Sequence, residues 1–310
     1  MYCQILKEFL NVHWLRPEVA LLKTSEVIAM KDFVFESPSL DMGCGDGIFS
    51  FIRAGGGFNQ EFDLYSGMKV DRNVFFDNLD IYDFKSSSTK DANPVKKPQY
   101  KISVALDHKN NLLEKSKRFD FYNDYVCHDA NNALPFPSNA FASVFSNILY
   151  WLNNPQNVLH DVCRILSVGG RMALVLPDKS FTDYSFYQRL YLKTSDSRWK
   201  WLQKIDRGRS ESIKHRYSAT EWENMFNEAG LAVIQHKRFL SKFLFQIWDI
   251  GLRPVFPVLY KMQSKLNVSE RLEVKKDWID LLMEFALPIM ENELFRDEDD
   301  YVWHYYELRK

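Results

Sequence analysis

The run Asp41–Ser50, which reads Asp-Met-Gly-Cys-Gly-Asp-Gly-Ile-Phe-Ser, constrains the fold of this chain more than any other segment. Its glycines stand at alternate positions, Gly43, Gly45 and Gly47, where they allow positive φ angles and let a ligand approach bare backbone. The preceding Pro38-Ser39-Leu40 can enter a buried strand. The run is therefore predicted to join a strand to a helix and to bind a nucleoside derivative.

Two common nucleotide-binding turns fit this run less well. Ile48 stands where the third glycine of a dinucleotide-binding G-x-G-x-x-G would fall. No Gly-Lys-Ser/Thr tripeptide follows, although a phosphate-binding P-loop requires one. An NAD-linked oxidoreductase is thus disfavoured but stays open as an alternative.

Two further acidic residues follow short apolar runs downstream of the glycines. Asp107 follows Lys101–Leu106, and Asp129 follows a second run and precedes Ala130. An acid at the carboxyl end of a parallel strand can accept hydrogen bonds from both hydroxyls of a ribose. The tripeptide Leu134-Pro135-Phe136 comes next, and it precedes another apolar run.

Taken in this order, these motifs resemble those of class I S-adenosylmethionine-dependent methyltransferases, in particular the methyltransferase-domain group called type 11. The resemblance covers about residues 37–177 and 217–237, with Val168 where proline is usual and Ala142 where an acid is common. It implies S-adenosylmethionine as cofactor and S-adenosylhomocysteine as product. The residues that it assigns to the cofactor are Asp41, Gly43, Cys44, Gly45, Gly47, Asp107, His108, Asp129, Ala130 and Asn147.

The resemblance also implies an α/β fold, with a doubly wound, mostly parallel seven-stranded sheet (a Rossmann-like methyltransferase fold) and helical insertions. Tyr301–Leu308 alternates in polarity and is predicted to be the last, antiparallel strand, beside a sixth strand at Leu231–His236. Local signals predict the ends of three helices. Thr220 and Ser269 are expected N-caps, and Gly169-Gly170 and Pro288 are expected stops.

The domain organisation follows from where the motifs stop. We expect an N-terminal helical segment at residues 1–36 and a methyltransferase domain at 37–310, with insertions at about 55–99 and a helical cap at about 243–295. Lys85–Pro98 is rich in Ser, Lys, Asp and Pro, which predicts a mobile segment. The first insertion makes Asp71 a rival for the ribose acid, but Asp107 is preferred because the next helix and strand follow it in order.

Composition excludes some classes of function. A formal net charge of -1 argues against a nucleic-acid partner, and four cysteines without a C-x-x-C pair argue against a metal site. The chain holds no run of apolar residues long enough to cross a membrane. We therefore expect a cytoplasmic protein without a transmembrane segment, for which peripheral membrane contact stays possible.

Methyl transfer is an in-line displacement, so alignment and desolvation can supply most of the catalysis. His215 and Tyr150 are the preferred catalytic residues, with His160 and Asp178 as further candidate bases. Aromatic residues are dense from Phe181 to Trp201 and again from Phe239 to Tyr260, near Arg253, Lys261 and Lys265. This predicts a small-molecule or lipid- or glycan-linked acceptor. A non-catalytic protein that binds S-adenosylmethionine and acts through a partner is the other alternative.

Overall fold

A computed structural model describes residues 2–66, 68, 94–202, 205, 212–296 and 298–310. Seven strands form the main sheet, and two short strands, β2 and β3, form a separate antiparallel pair. The strands are β1 (Ser39–Met42), β2 (Gly57–Phe58), β3 (Pro94–Lys96), β4 (Ile102–Asp107), β5 (Tyr122–Cys127), β6 (Phe141–Ser146), β7 (Leu166–Pro177), β8 (Ala232–Ser241) and β9 (Tyr301–Arg309).

The main sheet has the strand order β5-β4-β1-β6-β7-β9-β8. The five strands from β5 to β7 run parallel, and β9 lies antiparallel between β7 and β8. All four residues of β1 are buried, as expected for a central strand covered on both faces. The predicted fold class is therefore confirmed, including the antiparallel last strand beside the sixth.

Helices flank this sheet, and the longest described helix lies between β8 and β9. The helices are α1 (Tyr2–Val12), α2 (Pro17–Ala29), α3 (Ile48–Arg53), α4 (Asn110–Ser116), α5 (Pro155–Ile165), α6 (Phe181–Tyr184), α7 (Phe186–Thr194), α8 (Ala219–Glu228), α9 (Lys242–Ile250), α10 (Phe256–Gln263) and α11 (Val268–Phe295). Within the described ranges, none of them is both long and apolar enough to cross a membrane.

The predicted helix ends were wrong at several points. Capping boxes start α8 at Ser218 and α11 at Asn267, so Thr220 and Ser269 lie inside these helices. α5 ends at Ile165, before Gly169-Gly170, because the chain enters β7 directly.

Pro288 lies inside α11 and does not end it. Proline removes one hydrogen bond of the helix and favours a kink. Buried side chains hold the following turns in place: Met290 is in the core, and Glu293 accepts hydrogen bonds from the backbone N–H and the hydroxyl of Ser241. Tertiary contacts therefore override the local stop signal.

The described start of the first insertion is fastened to the helices around it. The amide of Asn11 donates to the carbonyl oxygens of Phe58 and Asn59, and Lys275 Nζ donates to those of Gln60 (2.9 Å) and Phe62 (2.6 Å). β3 pairs with β2, so the end of the stretch predicted to be mobile forms a strand instead. Its residues 85–93 lie outside the described residues.

Candidate cofactor and acceptor site

The glycine turn joins the end of β1 to the start of α3. Gly43, Gly45 and Gly47 have φ angles of 86°, 58° and 76°, which other residues adopt only with strain. The N–H groups of Gly43 and Cys44 donate to the carbonyl oxygen of Leu106 at 2.8 and 3.1 Å. The turn is thereby held against the end of β4.

Only one of the three glycines faces open space. A Cβ atom at Gly43 would lie 2.5 Å from the side chain of Ile148, and one at Gly47 would lie 2.9 Å from Ser116 Cβ. A Cβ atom at Gly45 would meet nothing within 4 Å. Gly45 is therefore the position where a ligand can approach the backbone of the turn.

Asp107, at the end of β4, is hydrogen-bonded directly to that position. Its Oδ2 accepts a hydrogen bond from Gly45 N at 2.9 Å, and its Oδ1 accepts one from Lys109 N at 2.8 Å. Exposed His108 places Nδ1 3.5 Å from the same Oδ1. Each carboxylate oxygen keeps a further lone pair, so Asp107 can still accept a hydrogen bond from a ribose hydroxyl. The rival Asp71 lies outside the described residues.

Asp41 is placed beneath the turn and not beside the open space. Its side chain is buried and accepts a hydrogen bond from the Tyr122 hydroxyl at 2.6 Å. Burial raises the pKa of Asp41 to about 6, against the lowering effect of hydrogen bonds from Ser50 and Tyr122. This geometry favours support of the glycine turn over direct contact with a ligand.

The loop after β5 brings Asp129 and Ala130 to the same edge of the sheet. Asp129 Oδ1 accepts hydrogen bonds from the backbone and side-chain amides of Asn131 at 2.9 and 2.8 Å, and the backbone bond is the main cause that lowers the pKa of Asp129. Ala130 is buried, and His128 N donates to the carbonyl oxygen of Asp107. The loop is thus tied to the end of β4.

α2 contributes charged side chains to this edge. Asn147, just after β6, donates from Nδ2 to Glu26 Oε1 at 3.0 Å, and Lys23 Nζ donates to Glu26 Oε2 at 2.8 Å. Lys23 Nζ also lies 4.8 Å from the centre of the Phe49 ring. The N-terminal helical segment therefore covers the carboxyl ends of the central strands.

Four acids or bases, in the glycine turn, around the start of α2 and just after β5, have polar atoms that are buried without a partner. These atoms are Asp46 Oδ2, Glu18 Oε2, His13 Nδ1 and His128 Nε2. Burial raises the pKa of Asp46 to about 6, and burial together with Arg16 and Lys23 lowers the pKa of His13 to about 3. Buried polar atoms without partners are rare and often mark a place where a ligand binds.

The two preferred catalytic residues lie close to each other: Tyr150 follows β6, and His215 precedes α8. Both ring nitrogens of His215 are engaged, since Nε2 lies 2.8 Å from the carbonyl oxygen of Leu152 and Nδ1 lies 2.8 Å from the Tyr217 hydroxyl. A carbonyl only accepts, so Nε2 carries the proton and Nδ1 accepts. The carbonyl oxygen of Tyr150 accepts from His215 N. A role as base stays a prediction for His215, and this geometry favours a role in positioning Tyr150.

Tyr150 itself is buried, and burial, with the charge of Glu26, raises its pKa well above the usual value. Its ring packs edge-on against Trp303 at 5.3 Å, and Trp303 packs similarly on Phe181 at 6.3 Å. The indole N–H of Trp303 is buried without a hydrogen-bond partner. We call Tyr150, Phe181, Trp248 and Trp303 the aromatic cluster.

The other two candidate bases lie elsewhere. His160 is exposed on α5, where its ring contacts Gln156. Asp178 follows β7 and accepts from His304 Nε2 at 2.9 Å, and His304 Nδ1 lies 2.9 Å from His236 Nε2. Although burial opposes it, the hydrogen bonds from His304 and Ser180 lower the pKa of Asp178 to about 2.

A family model described as a methyltransferase domain matches residues 31–236, a range that holds the glycine turn, Asp107, Asp129, Asn147 and Tyr150. This chain belongs to that family of S-adenosylmethionine-dependent class I methyltransferases. No curated protein matches the chain. Family membership makes the chain a methyltransferase enzyme and implies that it uses S-adenosylmethionine.

Solved structures with a similar fold are distant in sequence. A putative sarcosine dimethylglycine methyltransferase from Galdieria sulphuraria is 12% identical, with 94% of this chain and 84% of that chain covered and a TM-score of 0.46. An S-adenosylmethionine-dependent methyltransferase from Mesorhizobium loti is also 12% identical, with 93% and 97% covered and a TM-score of 0.46. The [4+2]-cyclase SpnF is 13% identical, with 95% and 82% covered and a TM-score of 0.47.

The residues of the methyltransferase fit this cofactor in shape and in charge. Gly45 leaves space beside the backbone, Asp107 accepts a hydrogen bond from its N–H, and Asp46 follows it directly in the turn. S-adenosylmethionine carries positive charge on its sulfonium and its ammonium group, which nearby carboxylates would stabilise. The unpartnered Asp46 Oδ2 is available to accept a hydrogen bond from such a group.

Sequence reasoning missed Lys23, Glu26, His13 and Asp46 as site residues. The first three lie on α1–α2, where no motif marks them and no pattern shows which side faces the sheet. Asp46 was the residue that could have been found, because it is the acid between Gly45 and Gly47. An acid inside a glycine turn stands next to whatever the turn binds.

Proposed function

We propose that this methyltransferase transfers a methyl group from S-adenosylmethionine to a small-molecule or lipid- or glycan-linked acceptor. The observation that supports it best is the aromatic cluster, whose Trp303 N–H is buried without a partner. It adjoins Asn147 and Glu26 through Tyr150, whose pKa responds to the charge of Glu26. The proposed site therefore has a cofactor end, near Asn147 and Glu26, and an acceptor end at the aromatic cluster.

At the cofactor end, Asp107 would accept hydrogen bonds from the ribose. Ala130 would leave room for the adenine, and Asp129 would accept from its amino group. Gly45 would let the amino-acid end pass close to the backbone, where Asp46 and its unpartnered oxygen lie. When bound, S-adenosylmethionine supplies an activated methyl group on a sulfonium.

At the acceptor end, the buried aromatic cluster, whose rings pack edge-on, would supply apolar contacts and one polar anchor. Aromatic clefts with few polar groups suit bulky ligands that are partly apolar. The N–H of Trp303 would donate a hydrogen bond to an acceptor oxygen, and such a bond would relieve the cost of leaving this donor buried and unpaired. Proteins and RNA chains present few groups that reach such an enclosed surface.

The chain's own contribution to the chemistry is orientation and exclusion of water. Tyr150 keeps its proton at neutral pH because burial raises its pKa, so it acts as a hydrogen-bond donor. His215 fixes the backbone beside Tyr150, since its N–H donates to the carbonyl oxygen of Tyr150 and its Nε2 to that of Leu152. A methyl group on a sulfonium already has a good leaving group, so alignment of the acceptor is the main requirement.

The test is transfer of label from S-adenosylmethionine, with its methyl group labelled, into a fractionated cell extract. We expect label in the small-molecule or organic-soluble fraction. Trp303→Phe keeps the ring but removes the N–H, so it should raise the KM for the acceptor and leave cofactor affinity unchanged. Trp222→Phe is the matched control, because that indole donates to the carbonyl oxygen of Pro177.

Label found mainly in protein or RNA would contradict the proposed acceptor class. Cofactor binding without label in any fraction would instead indicate that no acceptor was present or that the chain does not turn over. These two explanations are separated by adding extract fractions from different growth conditions and measuring the formation of S-adenosylhomocysteine. Its formation with any fraction shows that an acceptor had been missing, and its absence with all of them indicates that the chain does not turn over.

A further inference from the structure

α10 exposes an unusual face. Its buried side consists of Phe256, Pro257, Tyr260 and Gln263, whereas its outer side carries apolar residues where a surface helix normally carries polar ones. Val258 is 52% exposed and Met262 63% exposed. We call Val255, Val258, Lys261, Met262 and Lys265 the tip face; all five are exposed.

The tip face is basic as well as apolar. From Gly251 to Ser269 the sequence contains no aspartate or glutamate, and it contains Arg253, Lys261 and Lys265. The next acid, Glu270, accepts a hydrogen bond from Asn267 N as part of the cap of α11. No acidic residue within this stretch therefore offsets its three cations.

The helix beneath the tip face is fixed in place. The ring of Phe256 packs against Tyr65 at 5.2 Å, and the Tyr260 hydroxyl donates to the carbonyl oxygen of Met68. Just before α10, Gly251 packs against Glu18 of α2, since a Cβ atom there would lie 2.5 Å from Glu18 Cγ. The tip face is therefore presented on a rigid support next to the helices that cover the site.

We propose that the tip face docks the enzyme on an anionic lipid surface. Apolar side chains between lysines are the composition of interfacial helices, whose apolar groups enter the headgroup region while the cations attract anionic lipids. The proposal goes beyond the proposed reaction, because docking can be measured without any acceptor.

Charge selects this surface over the exposed apolar residues of α11. α11 exposes Leu281 (58%) and Phe285 (65%), but Asp277, Asp280 and Glu284 lie between and beside them. An anionic surface would repel that face and attract the tip face. The chain as a whole has a formal net charge of -1, so the attraction must come from this local arrangement.

The experiment measures sedimentation of the full chain with phosphatidylcholine vesicles, with and without phosphatidylserine, at low and high salt. We expect binding only to vesicles that contain phosphatidylserine, and less of it at high salt. Each lysine near an anionic surface contributes about 1 kcal/mol, so Lys261→Gln/Lys265→Gln should weaken binding by about 30-fold. Val258→Ser/Met262→Ser should weaken it as well.

Leu281→Ser/Phe285→Ser is the matched control, because it removes a similar apolar area from the acidic face of α11. It should leave vesicle binding unchanged. All six substituted residues are exposed, so thermal unfolding should show that the variants stay folded.

Three results would overturn the proposal. One is the absence of binding to anionic vesicles at low salt. Another is an equal loss of binding in the tip-face and control variants, which would indicate nonspecific stickiness. The third is a tip-face variant that loses an acidic protein partner from a lysate but binds vesicles as the wild type does.

Discussion

Asp107→Asn is the substitution that tests the assigned cofactor end most closely. It keeps the size of the side chain and removes its charge. The carboxylate accepts hydrogen bonds from Gly45 N at 2.9 Å and from Lys109 N at 2.8 Å, and it is the proposed acceptor for the ribose hydroxyls. An asparagine can accept at only one of its two terminal atoms.

Two losses of free energy follow from this geometry. Hydrogen bonds to a charged group contribute about 1.5–3 kcal/mol each, so loss of the ribose contact should weaken cofactor binding by about 10- to 150-fold. The new NH2 group must also face one of the two backbone N–H groups. This should lower the free energy of unfolding by about 1–3 kcal/mol.

The assay is isothermal titration with S-adenosylhomocysteine, together with urea unfolding of each variant. Asp124→Asn is the matched control on β5, because Asp124 is exposed and its carboxylate bonds only the next N–H group among the contacts described. Asp71→Ala tests the rival ribose acid. If Asp71→Ala loses binding while Asp107→Asn keeps it, the assignment of Asp107 is wrong.

Three further predictions concern groups with shifted pKa values or buried charge. The pKa of His13 is about 6.5 in the unfolded chain and about 3 in the folded one. The free energy of unfolding should therefore fall by about 2 kcal/mol as the pH drops from about 7.5 to about 5. In urea unfolding, His13→Asn should lose this pH dependence, and the exposed control His160→Asn should keep it. The pKa of Asp46 is raised to about 6, so binding of the cationic cofactor should release protons at about pH 6 but not at about pH 8. Calorimetry in buffers of different ionisation enthalpy measures this release. Equal release at both pH values would contradict the prediction. Lys275→Met should lower the free energy of unfolding by about 2 kcal/mol, whereas the exposed neighbour Lys276→Met should change it little; equal effects would argue against the two carbonyl contacts.

The sheet could be predicted from the sequence because three of its parallel strands end at recognisable residues. Asp107 and Asp129 mark two strand ends, and the glycine turn marks the end of β1, so the fold class followed from the family resemblance. The alternation of Tyr301–Leu308 predicted β9 independently of that resemblance.

Helix ends and the covering helices could not be predicted in the same way. The capping boxes at Ser218 and Asn267 are present in the sequence, but a second plausible cap stands two residues later in each case, at Thr220 and Ser269. The sequence shows the local cost of Pro288 but not the contact of Glu293 with Ser241, so it predicts a stop there.

The charged residues of α2 illustrate a second limit. Glu26, which Lys23 pairs with, meets Asn147 across 121 positions of sequence, a contact that depends on the angle at which α2 crosses the sheet. The spacing of apolar residues along the sequence does not reveal that angle. Asp46, in contrast, lies inside the turn and could have been proposed from its position alone.

The most direct test of the central claim is a crystal structure of the chain with bound S-adenosylhomocysteine. We predict density for the ribose at Asp107, for the adenine beside Ala130 and for the amino-acid end next to Gly45 and Asp46. The sulfur should point toward Tyr150 and the aromatic cluster. Density at another edge of the sheet, or a ligand whose sulfur points away from Tyr150, would contradict the account.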